Sequence, residues 1–285
     1  MNRSPEPAAS LAPGPHLYIY CLRGRPGGLA AGEGFLGNWE EDEYSFLFFD
    51  RPARGRIDTL VAANPGVELF DESDMSYEQW QGGRIGTMTV AGFTLAPPWE
   101  RPPPAGTPRL IVLDPGLVFG NGLHPTTRDC LAAIDLAAGQ GPLQGAVDLG
   151  TGTGVLAIAL ARCGARRVLA VDNNPLCTRT AAANVRRNAL QDRVLVVQGR
   201  AEAHAAGDAD LMVANLHYAV MRRLLLAARQ RCPRRLVLSG LLRSEAGKIA
   251  DQLQGLGVRV LRQWVHDGIW HTFYGLRGRA SVQSG

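Results

Sequence analysis

Residues 146–172, AVDLGTGTGVLAIALARCGARRVLAVD, decide the fold. The stretch reads as a strand over 146–149, a glycine turn, a helix over 155–163 and a second strand over 167–171 that ends at an acid. The helical segment contains no proline, its glycines lie only at its ends, and Gly164 stands where a C-terminal stop belongs. Val168, Leu169, Ala170 and Val171 form the continuous apolar run of a strand buried on both faces, as in parallel sheets. Together they make one strand–helix–strand unit, and its turn is where a ligand would sit.

The turn fits two patterns. Asp148-Leu149-Gly150-Thr151-Gly152-Thr153-Gly154 matches D-x-G-x-G-x-G, the glycine turn of nucleoside-dependent methyltransferases. Starting at Gly152, the chain also matches G-x-G-x-x-A, ending at Ala157, a permitted form of the dinucleotide fingerprint. In either register glycine lets the backbone approach the ligand, and Asp172, 18 residues past Gly154, is placed to bind ribose hydroxyls. Asp148 separates the two, because a carboxylate just before the turn repels a pyrophosphate but receives the ammonium of a methionine moiety. A glycine turn with no ligand is the plain alternative, since loose glycine matches arise by chance.

The 285 residues suffice for one large or two moderate domains with a buried core. A hydrophobic share of 46% and a charged share of 20% describe a soluble globular protein. The net charge of +4 comes almost wholly from arginine, Lys248 being the only lysine. Arginine suits phosphate or carboxylate recognition, but the Ala, Gly, Pro and Arg richness favours a GC-rich coding bias. Cys21, Cys130, Cys163, Cys177 and Cys232 are odd in number and scattered, without C-x-x-C spacing. That pattern argues against a disulfide framework or a zinc site and fits a reducing compartment. MNRSPEPAASLAPGP lacks the apolar core of a signal peptide, and no run is long enough to span a membrane. A cytoplasmic protein is expected.

Residues 1–15 are rich in Pro, Ala and Ser and read as disordered. Strands are expected over 17–20, 44–49 and 67–70 and within 85–95, with a short helix over 55–63 that stops before Asn64-Pro65-Gly66. These form a small mixed α/β unit, placed at 16–96. Within it, Glu40-Glu41-Asp42-Glu43, with Asp71, Glu72 and Asp74, reads as a solvated loop or as a patch that attracts a basic partner protein. Trp39, Trp80 and Trp99 read as core or partly buried anchors. The run Pro97-Pro98-Trp99-Glu100-Arg101-Pro102-Pro103-Pro104 is the clearest break in composition, and its prolines favour an extended linker, placed at 97–108.

The second domain is placed at 109–277, with a tail at 278–285. It opens with a strand over 110–113 and a turn at Asp114-Pro115-Gly116. The glycine-containing loop Phe119-Gly120-Asn121-Gly122-Leu123-His124-Pro125-Thr126-Thr127 then leads into a helix with proline in its first turn. Thr126 and Thr127 are placed to cap that helix or to meet a ligand carboxylate. His124 has no metal-ligand partner at suitable spacing and reads as structural. Past Asp172, helices over 175–188, 219–230 and 243–256 alternate with strands over 194–198, 210–214 and 235–238. Two β-rich runs, 258–265 and 269–276, meet at His266-Asp267-Gly268, a hairpin signal. A parallel sheet closed by an antiparallel hairpin suits a methyltransferase better than a dinucleotide dehydrogenase. Asn215 follows the fourth strand, at the carboxyl edge where open α/β sheets bind ligands. Asn215-Leu216-His217-Tyr218 keeps the ends of the N-P-P-Y motif of amide and adenine methylases but neither proline.

At this point the chain resembles the PrmA family, methyltransferases of large-subunit ribosomal protein L-eleven. The resemblance rests on LDPGLVFGNGLHPTT at 113–127, DLGTGTGVLAIA at 148–159, AVDNNP at 170–175, VANL at 213–216 and LSGLL at 238–242, with SYEQW at 76–80 and APPWE at 96–100 upstream. It implies a seven-stranded, doubly wound, Rossmann-like class I methyltransferase sheet ending in an antiparallel hairpin. A small ferredoxin-like α+β domain for substrate recognition would precede it. The implied cofactor is S-adenosyl-L-methionine, and the implied activity is methylation of lysine ε-amines and an N-terminal α-amine of a ribosomal protein. Neither a membrane nor direct nucleic-acid binding is required. By motif, Thr127, Gly150, Asp172 and Asn215 contact the cofactor, with Asp148, Thr151, Gly152, Gly154, Asn173, Phe119 and Gly120 around it and Asn215 as the catalytic residue. The family loop usually reads F-G-T-G-T-H-P-T-T, so Asn121 and Leu123 replace its inner threonines, and Leu216-His217-Tyr218 replaces a small or apolar run. Another protein lysine, a glutamine amide or a small amine is therefore the alternative acceptor, and a non-catalytic binding module is the more distant one.

Overall fold

The computed structural model describes residues 16–28, 32–41, 43–205, 207–229 and 231–278. The expected disordered N-terminus and most of the tail lie outside them. Two compact units divide between Ile85 and Gly86.

The first unit holds strands β1 (His16–Arg23), β2 (Phe35–Glu41), β3 (Tyr44–Phe49) and β4 (Glu68–Ser76), with helices α1 (Arg54–Ala62) and α2 (Tyr77–Gln81). All neighbours pair antiparallel in the order β2-β3-β1-β4, which is the ferredoxin-like order. The β1–β2 crossover is not a helix in its described residues, as Gly24, Gly27, Gly28, Gly32, Gly34 and Pro26 would predict. Instead, Gly27 N–H donates to Asn64 Oδ1 at 2.8 Å, tying the crossover to the turn after α1. Tyr20, Leu22, Leu47, Phe49 and Ile57 form the core. Tyr20 accepts from Ala53 N–H at 2.8 Å, anchoring the start of α1 with a buried ring.

Sequence reading missed β2, and it ended the strand of β4 at Phe70. Glu40 and Glu41 therefore lie in a strand, and Asp71, Glu72 and Asp74 lie in β4 on the sheet edge. Asp42 lies outside the described residues. A register shift between Cys21 and Leu22 leaves Phe70 as the extra residue of β4, 57% exposed. Ser76 and Gln79 form a reciprocal capping box that starts the five-residue α2.

The second unit begins with β5 (Met88–Val90), β6 (Phe93–Ala96) and β7 (Leu110–Val112). β5 and β6 pair antiparallel around Ala91 and Gly92, whose φ values of +49° and +78° match the tight turn that best joins twisted strands. β6 and β7 pair in parallel. The Pro-rich segment is thus a connection between two paired strands inside this unit, where the composition had marked an interdomain linker.

Then follow α3 (Pro125–Gly139), β8 (Gly145–Leu149), α4 (Val155–Arg162), β9 (Arg167–Asp172), α5 (Pro175–Arg187), β10 (Val194–Gln198), a single 3-10 turn at Ala201–His204, β11 (Leu211–Asn215), α6 (Tyr218–Ala227), β12 (Arg235–Leu242), α7 (Arg243–Gly255), β13 (Val258–His266) and β14 (Trp270–Arg277). The sheet order is β10-β9-β8-β11-β12-β14-β13. β8 to β12 run parallel, and β14 runs antiparallel to both neighbours. The order reverses between β8 and β11, which opens a crevice at their carboxyl ends. Every residue of α4 from Val155 to Ala161 is buried, and its three alanines let the helix lie close on the sheet. Arg235 is also buried, because its guanidinium donates to the carbonyls of Ala137, Gly141 and Pro142 and so closes the C-terminus of α3. Among the described residues no helix is long and apolar enough to cross a membrane.

Candidate active site

β8 ends at Leu149, and Gly150, Gly152 and Gly154 follow with φ of +78°, +53° and +83°. L-residues avoid this region. Space forbids them too, since a Cβ on Gly152 would lie 2.4 Å from the Phe119 carbonyl oxygen and one on Gly154 3.1 Å from Ala181 Cα. The N–H groups of Gly150 and Thr151 both donate to Val171 O, at 2.8 and 3.0 Å, which fastens the turn to β9.

Asp148, wholly buried, braces this turn from behind. Its Oδ2 accepts from Thr151 Oγ1 at 2.6 Å and from Ala157 N–H at 3.0 Å. Its Oδ1 is buried with no partner among the described residues. Burial pushes the carboxyl up to about 7. Sequence reading offered this group to an ammonium. The structure gives it a bracing task as well, with one oxygen left over.

Asp172 closes β9 beside the turn. Its Oδ2 accepts from Gly152 N–H and its Oδ1 from Asn174 N–H, each at 3.0 Å. Burial, the largest influence, raises its carboxyl above the usual range against these donors. Asn173 is exposed, and its carbonyl accepts from Gln198 Nε2 at 3.3 Å.

The 119–127 loop is fixed to the glycine turn through its backbone. Thr153 N–H donates to Phe119 O at 3.0 Å and Thr153 Oγ1 donates to Gly120 O at 2.8 Å. Asn184, on α5, donates to Thr153 O and Asp114 O and accepts from Asp114 N–H, so one amide joins three segments. Asn121 Oδ1 accepts from Leu123 N–H at 2.8 Å, a local turn bond. At Gly122 a Cβ would lie 2.4 Å from Leu95 Cδ1. His124 caps α3, with Pro125 in its first turn. Its ring lies edge-on to Phe119 and Trp270, with centroids 5.3 and 4.9 Å away, and burial lowers its pKa. Thr127 Oγ1 is buried without a partner among the described residues.

Asn215 ends β11 across the crevice from Gly150. Its Nδ2 donates to Thr126 Oγ1 at 3.2 Å. Gly240, at φ +83°, passes close by, since a Cβ there would lie 3.0 Å from Asn215 Oδ1. Leu216 covers Gly150, where a Cβ would meet its Cδ2 at 2.2 Å. His217 occupies the N-cap of α6 without a side-chain cap bond, and Lys248 Nζ sits 5.7 Å from the Tyr218 ring centroid.

Phe119, Gly120, Thr127, Asp148, Gly150, Thr151, Gly152, Gly154, Asp172 and Asn215 thus gather where β8, β9 and β11 end, while Asn173 stands at the exposed margin. Sequence reading did not connect Thr126 with Asn215 or Trp270 with His124. It also missed a polar line behind them, in which His266 Nε2 and Thr272 Oγ1 meet the two oxygens of buried Asp129, at 2.8 and 3.1 Å. Thr272 also meets Ser239 Oγ at 2.6 Å. No cysteine is poised as a nucleophile, because burial raises all five thiols. The arrangement can bind and align rather than form a covalent intermediate.

A family model described as ribosomal protein L11 methyltransferase (PrmA) matches residues 66–277. The chain is 36% identical over 221 residues to the ribosomal protein L11 methyltransferase of Myxococcus xanthus, covering 75% of each chain. It is 35% identical over 181 residues to that of Geobacillus thermodenitrificans, covering 61% of this chain and 57% of that one. Among solved structures, a ribosomal protein L11 methylase from Lactobacillus delbrueckii subsp. bulgaricus superposes with a TM-score of 0.60 at 28% identity, over 67% of this chain and 98% of that one.

Proposed function

The chain belongs to the ribosomal protein L11 methyltransferase family, and from that premise we propose that it methylates amines of a ribosomal protein, with S-adenosyl-L-methionine as donor. The observation that carries this is the meeting of the glycine turn, Asp172, the 119–127 loop and Asn215 at the reversal of strand order.

The residues fit the donor. Asp148 Oδ1 and Thr127 Oγ1 are buried polar atoms without partners among the described residues, suited to the ammonium and carboxylate of a methionine moiety. Gly150 and Gly152 place no Cβ at two positions of the turn, and Asp172 retains lone pairs for ribose hydroxyls. When bound, the donor supplies an electrophilic methyl group on a sulfonium.

The rest is alignment. An amine has a lone pair only when neutral, and an apolar surround lowers the pKa of an ammonium. Phe119, Trp270 and neutral His124 supply such a wall. Asn215 accepts an amine N–H through Oδ1, which turns the lone pair away from the amide. The acidic first unit, with twelve carboxylates against six arginines over residues 16–85, selects a basic protein.

The test is intact-mass analysis of ribosomal proteins from cells lacking the gene. Loss of several methyl-sized increments from one protein, restored by the wild-type gene, supports the reading, and an unchanged mass profile overturns it. A second reading keeps the reaction and changes the acceptor to another protein lysine, a glutamine amide or a small amine. Asn121, Leu123, His217 and Tyr218 favour it, because they depart from the family pattern beside the acceptor.

A further inference from the structure

The hydrogens between His124, Thr126 and Asn215 have one consistent arrangement. Thr126 N–H donates to His124 Nδ1 at 3.4 Å, so that nitrogen carries a lone pair rather than a proton. Thr126 Oγ1 lies 2.7 Å from the same nitrogen and must therefore be the donor there. Its one hydrogen is then committed. Towards Asn215 the hydroxyl can only accept, and the atom facing it at 3.2 Å is Nδ2. A reversed amide would set Oδ1 against a hydroxyl oxygen with no hydrogen between them. Asn215 Oδ1 accordingly points away from Thr126 and has no partner among the described residues.

The imidazole is held in turn. Phe119 and Trp270 pack edge-on against it from two sides, and its place at the cap of α3 fixes which nitrogen meets Thr126. Nothing in the sequence spacing links Asn215 to a residue 89 positions earlier.

We propose that His124 and Thr126 are positioning residues that set the Asn215 amide with Oδ1 towards the acceptor amine. His124 fixes the direction of the Thr126 hydroxyl, and the hydroxyl fixes the amide. Neither touches the reacting atoms. The inference rests on the reading of Asn215 as the group that meets the amine.

The experiment compares Thr126→Val, Thr126→Ser and His124→Asn with the wild type. Valine keeps the shape of threonine and removes the hydroxyl. Serine restores the hydroxyl, and asparagine at 124 keeps both an N-cap and an acceptor for it. The readouts are kcat and KM with the methylated protein, S-adenosylmethionine Kd by calorimetry, and the His124 ring nitrogens by 15N NMR. Thr126→Val should lower kcat about tenfold or more with KM and cofactor Kd nearly unchanged. Serine should regain most of the loss, and His124→Asn, which keeps an acceptor for the hydroxyl but takes the ring out of the apolar wall, should lose less turnover than Thr126→Val. The NMR should show an unprotonated Nδ1 and a protonated Nε2. Wild-type turnover by Thr126→Val, equal impairment by serine and valine, or a protonated Nδ1 would each overturn the proposal. If the wild type methylates no protein, the functional reading fails, and the NMR result still judges the hydrogen-bond order by itself.

Discussion

The carbonyl oxygen of Phe119 stands 2.4 Å from where a Cβ on Gly152 would lie, so the loop and the turn meet only because position 152 has no side chain. The same contact lets Thr153 N–H reach Phe119 O at 3.0 Å. Gly152→Ala would strain a backbone at φ +53° and push the two segments apart. The expected result is a loss of about 1–3 kcal/mol of stability. Weakening of S-adenosylmethionine binding by more than about tenfold should accompany it. Thermal unfolding and calorimetry would check both, and unchanged cofactor affinity would show that the contact does not shape the site.

Asn215 should behave differently. Among the described residues its side chain makes one bond, to Thr126 Oγ1, and it is only half-buried. Asn215→Ala is expected to cost no more than about 1 kcal/mol in folding. Its kcat should fall about tenfold to a hundredfold, since an alignment contact to the acceptor is lost. Unfolding curves paired with single-turnover assays would separate these effects. A variant that turns over like wild type would remove Asn215 from the reaction.

How much of this was legible in the sequence follows from the range of each interaction. The β8–turn–α4–β9 unit was readable because its signals are local: an apolar run, three glycines and a closing acid within 27 residues. Asn215 was placed by its position after a strand. The Pro-rich run misled because proline reports local stiffness, whereas the division at Ile85 depends on β6 pairing with β7 across that run. β2 was hidden because FLGNWEE contains Gly, Asn and two acids, which are poor in strands, and its pairing with β3 overrides them. Thr272 and Asp129, 143 residues apart, leave no trace in spacing at all.

Asp148 gives a pH dependence of definite sign. Its carboxyl is raised from 3.8 to about 7 by burial. Between those values the folded chain keeps a proton that the unfolded chain has lost. Stability from this group therefore falls as pH rises from about 4 to about 7 and is level above. Asp148→Asn removes that slope, so its melting temperature relative to wild type should climb across the window, by the equivalent of up to about 4 kcal/mol. An ammonium beside Oδ1 would lower the carboxyl pKa, so donor binding near pH 6 should release a proton from the wild type and none from the variant. Calorimetry in buffers of different ionisation heat would measure that release. Equal release from both proteins would exclude Asp148 as the partner of the ammonium.

Charge is divided unevenly between the two units of the chain. Residues 16–85 carry twelve carboxylates and six arginines, whereas residues 86–285 carry thirteen carboxylates and 23 arginines and lysines. Many acids of the first unit are already paired, as Glu68 is with Arg23 and Glu72 with Arg54. Glu41 and Asp71 are exposed on β2 and β4 and make no ion pair among the described residues, so they remain available to a basic partner. Long-range attraction of this kind speeds encounter and fades with salt, because the screening length falls from about 30 Å at 0.01 M to about 8 Å at 0.15 M. KM for the protein acceptor should therefore rise several-fold over that range, while S-adenosylmethionine Kd changes little. Glu41→Lys with Asp71→Lys should raise KM at low salt and flatten its salt dependence, with kcat at saturating acceptor retained. If the double variant keeps the wild-type KM and salt slope, the acidic groups on the two edge strands β2 and β4 do not recruit the substrate, and selection of the acceptor belongs to the residues around Asn215.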